Sequence, residues 1–183
     1  AADLDLLRQR WLISSARYVS SWTWSADQQR LVDGPISVSY QLHLSSADQR
    51  VELPIRADQV QLGDVLLDGQ PLQLEISPQD QSLAFVVDQA GIHELTLQLT
   101  PRRQNLAGRS VIEFDVPAAL DTQLRLQLPP DAPLPDIAGR LGSLSHDEVS
   151  GQLVAELGPV DKLSLSWTDG PAETPVERQV AVE

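Results

Sequence analysis

Hydrophobic and polar residues alternate along most of this chain. Between Ile36 and Leu44 every second residue is apolar, and the residues between them are Ser, Gln or His. A period of two is the pattern of a β-strand with one buried and one solvated face. Turn signals separate such segments at roughly 8–12-residue intervals, which predicts an all-β fold, an antiparallel β-sandwich of about ten to twelve short strands. The further segments lie at 51–55, 65–76, 83–87, 95–99, 112–116, 124–128, 153–157, 163–167 and 176–182.

Two local signals refine this picture. Asp68-Gly69 lies between two apolar runs and predicts a type I′ hairpin turn, because that turn requires a positive φ at both central residues. Pro54 lies inside another predicted strand and indicates an edge strand or a bulge, since proline has no N–H to donate to a neighbour.

The N-terminal segment has a different spacing. In Asp3–Leu12, Leu4, Leu7 and Trp11 fall on one helical face, and Asp3 is a candidate N-cap. We expect a short helix here, with an extended segment as the alternative, because so short a helix persists only when it packs on something else.

The length of 183 residues suits one large domain. We expect residues 1–14 to form a linker or short helix and residues 15–183 to form the sandwich. Residues 129–135 contain four prolines in seven residues and predict an extended connector. Residues 136–183 are expected to complete the same core, and a second subdomain over this range is the alternative. Because the sequence has no Met, we also expect an excised piece of a longer protein, or a processed mature protein.

Composition excludes several classes of protein. The net charge of −13 disfavours nucleic-acid partners, whose phosphates are repelled by an acidic surface. The absence of Cys excludes disulfides and thiolate metal sites. No apolar run approaches the ~20 residues that a transmembrane helix needs. The first residues, Ala-Ala-Asp, do not resemble a signal peptide.

Tryptophans are the candidate ligand-binding residues. Trp22 and Trp24 are two residues apart, so in a strand they share one face with Tyr18 and Ser20. Such a row, with Trp11, is a candidate platform for stacking on sugar rings. The alternative is that the rings cover the sandwich core, because aromatic side chains bury large areas.

Other side chains give no pattern typical of catalysis. His43, His93 and His146 have no paired-histidine spacing, and we interpret them as hydrogen-bonded structural residues. The sequence contains no GxSxG elbow and no glycine-rich phosphate loop. We therefore predict no enzymatic activity and no cofactor, with a hydrolase role left as an alternative because two carboxylates can converge only in the fold. The loop carboxylates are expected to support turns, with a low-affinity Ca²⁺ site between loops as the alternative; they are Asp58, Asp64, Asp68, Asp131 and Asp136.

Four stretches resemble recurrent segments of large, uncharacterised bacterial proteins of the cell envelope or surface, which string β-sandwich segments together. They are ISSARYVSSWTW at Ile13–Trp24, VLLDGQPL at Val65–Leu72, GIHELTLQL at Gly91–Leu99 and LGPVDKLSLSW at Leu157–Trp167. The resemblance implies no catalytic residues. It implies a periplasmic, cell-surface or secreted location, with neighbouring domains or other envelope proteins as partners.

Together these observations predict a non-catalytic structural or interaction module of a larger bacterial envelope or secreted protein. The alternative function is a carbohydrate-binding module that contacts glycans through Trp22, Trp24 and Trp11.

Overall fold

The computed structural model describes residues 10–27 and 29–170. These residues form seventeen β-strands and no helix, so the predicted all-β sandwich is confirmed. The strands are β1 (Trp11–Ser21), β2 (Thr23–Trp24), β3 (Leu31–Val32), β4 (Ile36–Leu44), β5 (Gln49–Arg56), β6 (Val60–Leu67), β7 (Gln70–Pro71), β8 (Glu75–Ile76), β9 (Ser82–Val87), β10 (Gly91–Pro101), β11 (Arg103–Leu106), β12 (Arg109–Asp115), β13 (Asp121–Gln127), β14 (Asp136–Ile137), β15 (Leu144–Asp147), β16 (Gln152–Glu156) and β17 (Lys162–Thr168).

The largest sheet has eight strands in the order β15-β16-β13-β1-β4-β10-β6-β7. Neighbours are antiparallel except for β1 and β13, which run parallel. At the centre of this sheet Tyr18 lies opposite Val38 on one side and Leu124 on the other. All three side chains are buried, as the period of two requires for strands that share one buried face.

Two smaller sheets complete the sandwich. One has the order β11-β12-β17-β14 and the other has the order β5-β9-β8, while β2 and β3 form a separate two-stranded ribbon. Buried side chains from all three sheets form one hydrophobic cluster, to which Leu97, Phe114 and Phe85 each belong. The core therefore lies between one face of the large sheet and the two smaller sheets.

A pair of tyrosines lies inside this core. The hydroxyls of Tyr18 and Tyr40 are 2.9 Å apart, and the rings meet edge to face with centroids 6.0 Å apart. Burial raises the pKa of both phenols well above the ordinary value. One hydroxyl donates to the other, and this bond lowers the cost of burying two polar groups in an apolar cluster.

The predicted turn at Asp68-Gly69 is present, with φ angles of 50° and 78°. The strand after it is shorter than the sequence pattern suggests. The return strand β7 ends at Pro71, the Leu72 amide makes a last bond to the Val65 carbonyl at 3.0 Å, and Glu75–Ile76 pairs instead with β9 in the three-stranded sheet. Pro54 lies in the edge strand β5, beside an irregularity in the pairing between Leu53 and Arg56.

The predicted N-terminal helix falls mostly on residues 3–9, which lie outside the described residues, as does the predicted strand at 176–182. Trp11 and Leu12 are extended and belong to β1, which corrects the helix prediction at its C-terminal end. Leu12 forms a pair with His43 of β4, and this pairing fixes the extended conformation there. Over residues 10–27 and 29–170, no helix has the length and apolar character needed to span a membrane.

The chain between Gln127 and Asp136, which holds the four prolines, forms no strand. Beyond it, β14 and β17 belong to the four-stranded sheet, while β15 and β16 extend the eight-stranded sheet beside β13. Of the strands after the prolines, β16 and β17 therefore pair with strands that precede them, β13 and β12.

Candidate functional site

An open cleft of about 720 Å³ lies between the proline-rich segment and the β15–β16 hairpin. We call it the proline cleft. Its walls are residues 127–134 on one side and residues 146 and 148–151 on the other, with Trp22 between them. Three of the wall residues are prolines, and Leu134 and Val149 add apolar side chains. The cleft therefore combines apolar with polar lining residues in about equal measure, and its size is typical of ligand pockets.

The proline wall is held by a hydrogen bond from outside it and by another within it. The indole Nε1 of Trp24 donates to the carbonyl oxygen of Pro130 at 2.9 Å. The amide of Ala132 donates to the carbonyl of Pro129 at 3.3 Å and closes a turn, in which Asp131 has a φ of 60°. Since proline fixes its own φ, this wall is largely preorganised.

The opposite wall is the tip of the β15–β16 hairpin, which one carboxylate organises. Asp147 accepts hydrogen bonds from the Val149 amide at 3.0 Å and from the Ser150 hydroxyl at 2.7 Å. These bonds, led by the one from Ser150, hold the pKa of Asp147 below its usual range. Asp147 therefore stays ionised, and the tip presents the side chain of Val149 to solvent with 97% exposure.

The tip is joined to the proline wall through Gly151. The amide of Leu128 donates to the Gly151 carbonyl at 2.9 Å, and Gly151 has a φ of 71°. A Cβ at this position would lie 2.3 Å from the Leu128 carbonyl oxygen. Only glycine allows the two walls to approach this closely.

Trp22 is a core residue rather than an exposed one. Its side chain is 3% exposed, and its ring packs on Trp167 with centroids 4.4 Å apart. Its amide donates to the Gln127 carbonyl at 2.8 Å, which places it beside the proline cleft. A ring buried to this extent offers no free face to a sugar.

The tryptophans predicted for glycan binding are not brought together. Trp11 is the first residue of β1, and Trp24 follows the end of that strand. An eleven-residue strand is about 33 Å long, so the two rings lie at opposite ends of the large sheet. Both are partly buried against the core. The expected exposed row is therefore absent, because the face that Tyr18, Ser20 and Trp22 share is the one that faces the core.

His93 connects two turns. Its Nδ1 lies 2.6 Å from Asp68 Oδ2 and its Nε2 lies 3.0 Å from the Gln89 carbonyl oxygen. Both partners are acceptors, so both contacts are hydrogen bonds when each ring nitrogen carries a proton, as in the imidazolium form. The bond to Asp68 is the main cause that raises the pKa of His93, and the same bond lowers the pKa of Asp68.

We expect this pair to stabilise the fold more at low pH than at high pH. The pKa of His93 is higher in the folded chain than its ordinary value of 6.5. Its contribution is therefore complete below pH 6.5 and is lost as the pH rises through the folded pKa. Because Asp68 is half exposed, the effect amounts to about 1 kcal/mol or less. Urea unfolding of the wild type and His93→Gln at pH 5.5 and 8.5 measures it.

The matched control for this prediction is His43→Gln, since the His43 ring pairs with the Ser14 hydroxyl at 2.9 Å rather than with a carboxylate. The difference between wild type and His93→Gln should shrink from pH 5.5 to 8.5, and by more than the difference for His43→Gln, whose ring bonds to a hydroxyl. A His93→Gln difference that does not change with pH contradicts the imidazolium assignment.

The loop carboxylates are dispersed rather than clustered. Asp58 pairs with Arg56 and Asp136 pairs with Arg109, each at 2.6 Å. Within residues 10–27 and 29–170, no group of three or more Asp, Glu or His side chains is arranged to hold a metal ion. Asp64 lies in β6 and Asp131 lies in the proline cleft, far from each other along the chain. The Ca²⁺ alternative therefore has no support from the geometry.

Comparison with known proteins gives a likeness of fold. No protein-family model matches the sequence, and no curated protein matches it. The structure resembles an M1 zinc metallopeptidase from Deinococcus radiodurans, with 12% identity, a TM-score of 0.53, and coverage of 87% of this chain and 43% of the other. It also resembles leukotriene A4 hydrolase from Saccharomyces cerevisiae, with 10% identity, a TM-score of 0.53, and coverage of 86% and 29%.

A candidate nutrient binding protein from Legionella pneumophila has a similar fold, with 11% identity, a TM-score of 0.58, and coverage of 87% of this chain and 67% of the other. This chain spans less than half the length of the two enzymes. At these identities the likeness shows the fold alone, and no functional residue is transferred from these proteins.

Proposed function

We propose that this chain is a non-catalytic β-sandwich module that binds a neighbouring domain or another envelope protein through the proline cleft, within a larger bacterial envelope or secreted protein. One observation carries the proposal. Val149 and Leu134 are 97% and 47% exposed, and both border the proline cleft. Exposed apolar side chains grouped around a concave surface that also carries polar groups are typical of interaction sites.

The energetics support a contact at this position. Burying a Val or Leu side chain contributes about 1.5–3 kcal/mol. Both walls are already fixed, one by prolines and the bond from Trp24, the other by the hydrogen bonds of Asp147. A preorganised surface loses little conformational entropy on binding, so most of this gain remains as affinity.

The charged side chains support a non-catalytic role, because many of them pair with a local partner. Arg56 with Asp58, Arg109 with Asp136 and His93 with Asp68 each link nearby turns or strands. The fold likeness supports a place inside a longer protein, since in the two enzymes it covers only part of a longer chain.

Hydrogen exchange tests the proposal. We expect amide exchange in residues 131–134 and 145–151 to be at least tenfold slower in the parent gene product than in the isolated chain, because a partner domain covers the cleft. The edge strand β11 (Arg103–Leu106), which is exposed on another sheet, serves as the internal control. Equal exchange in the two proteins, or slowing at β11 alone, rejects the proposal.

The same isolated chain tests the carbohydrate alternative. Titration with a panel of polysaccharides should leave tryptophan fluorescence unchanged if the module binds protein. Saturable quenching that is lost in Trp24→Ala or Trp11→Ala supports glycan binding instead.

A further inference from the structure

The proline cleft has a charge as well as an apolar surface. Its ionisable wall residues are Asp131, His146 and Glu148, and no Lys or Arg occurs among the residues that line it. Asp147, next to Glu148, is held ionised by its bonds to Val149 and Ser150. Val149 therefore lies beside two carboxylates at the tip, and Asp131 adds a third on the opposite wall.

The chain as a whole strengthens this field, because it carries a net charge of −13. An acidic rim on an acidic protein attracts cations and repels anionic surfaces such as nucleic acids and acidic lipids. A complementary partner therefore has positive charge where it meets the rim of the cleft and an apolar group where it meets the centre.

The shape restricts the partner further. About 720 Å³ is enough for a short peptide segment, and it is too small for a whole helix bundle or sheet to enter. The proline wall is irregular and presents no strand edge for pairing, since no strand lies between Gln127 and Asp136. A segment bound along the proline wall is therefore recognised by its side chains rather than by strand addition.

We propose that the proline cleft binds an extended basic segment of a partner protein, in which a Leu or similar apolar side chain has Lys or Arg neighbours. The apolar side chain lies between Val149 and Leu134, and its basic neighbours face Asp131 and Glu148. This inference rests on the proposed function, because it gives the chemistry of the partner at the same site.

Peptide titration tests it. The probes are acetylated and amidated Arg-Leu-Arg-Leu-Arg, Glu-Leu-Glu-Leu-Glu and Arg-Gly-Arg-Gly-Arg, followed by calorimetry and by the fluorescence of the chain's own tryptophans. We expect the first peptide to bind at least tenfold more tightly than either of the others. Raising the salt from 50 to 500 mM should weaken it at least threefold, because exposed charges are screened.

Two pairs of variants locate the contact. Val149→Ser should weaken the first peptide at least fivefold, while Val86→Ser, which changes a 46% exposed Val on β9, should not. Glu148→Gln should weaken it about threefold and reduce the salt dependence, while Glu94→Gln, on an exposed position of β10, should not. All four sites are at the surface, so the fold is expected to survive each change.

The outcomes separate this inference from the proposed function. Equal binding of the three peptides, or no binding, overturns the basic-segment inference, while slowed hydrogen exchange at the cleft in the parent protein still supports the interaction module. Selective binding of the first peptide that the cleft variants weaken supports the inference. The same selectivity unaffected by Val149→Ser and Glu148→Gln overturns it, since the peptide then binds elsewhere.

Discussion

Trp167→Ala is expected to lower the free energy of unfolding by about 3–5 kcal/mol, because it truncates the largest of the fully buried side chains. Trp167 lies in β17 opposite Ser110 of β12, and its ring packs on Trp22. Truncation removes this contact and leaves a cavity where the four-stranded sheet meets the start of the β2–β3 ribbon. Urea unfolding followed by far-ultraviolet circular dichroism measures the loss.

Trp167→Phe separates the ring from its polar group. Within the part of the chain that the structure describes, the buried Nε1 of Trp167 has no hydrogen-bond partner. Phe keeps most of the apolar contact and removes that unpaired donor, so we expect a cost of only about 1–2 kcal/mol. Trp24→Ala, which changes a partly exposed ring, should cost about 1 kcal/mol. If Trp167→Ala lowers the free energy of unfolding no more than Trp24→Ala does, the Trp167 ring does not hold the four-stranded sheet against the β2–β3 ribbon.

Gly151→Ala is expected to cost about 3 kcal/mol or more, because two penalties add at this position. Alanine is unfavourable at a φ of 71°, and its Cβ would lie 2.3 Å from the Leu128 carbonyl oxygen, which belongs to the backbone and cannot rotate away. The hairpin tip must then move away from Leu128, and the wall of the proline cleft moves with it. Thermal or urea unfolding of the variant measures the cost.

Gly139→Ala is the matched control. Gly139 has almost the same φ, 70°, but a Cβ there would meet no atom within 4 Å. We expect the free energy of unfolding of this variant to fall by only about 1–2 kcal/mol, which is the cost of placing alanine at a positive φ. The difference between the two losses of stability measures the cost of the clash with the Leu128 carbonyl. Equal losses would falsify the close contact between the cleft walls.

The alternation of residue types predicts many of the strands, such as β4, but it misses β11 and β15 and does not predict which strands pair. It places Tyr18, Ser20 and Trp22 on one face, and all three are buried. Alternation looks the same in every strand, so it carries no information about which strands are neighbours. The parallel pairing of β1 with β13 is not predictable for this reason.

The proline cleft is not predictable from local sequence either. It forms because Gln127 of β13 pairs with Gln152 of β16, which brings the proline segment next to the hairpin tip. Four prolines in a short stretch predict an extended connector, which describes their conformation but not what they face. In the sequence, Val149 gives only a weak indication of this cleft, because it is a single apolar residue within the polar stretch at 145–150.

The position of β1 has a consequence for synthesis on the ribosome. Its neighbour β13 emerges about a hundred residues later, since Arg17 contacts Asp121 across 104 positions. Until then the nascent chain carries a long strand with one open edge, a state prone to mispairing with other chains. The topology therefore leaves that edge of β1 unpaired for as long as the intervening residues take to be synthesised.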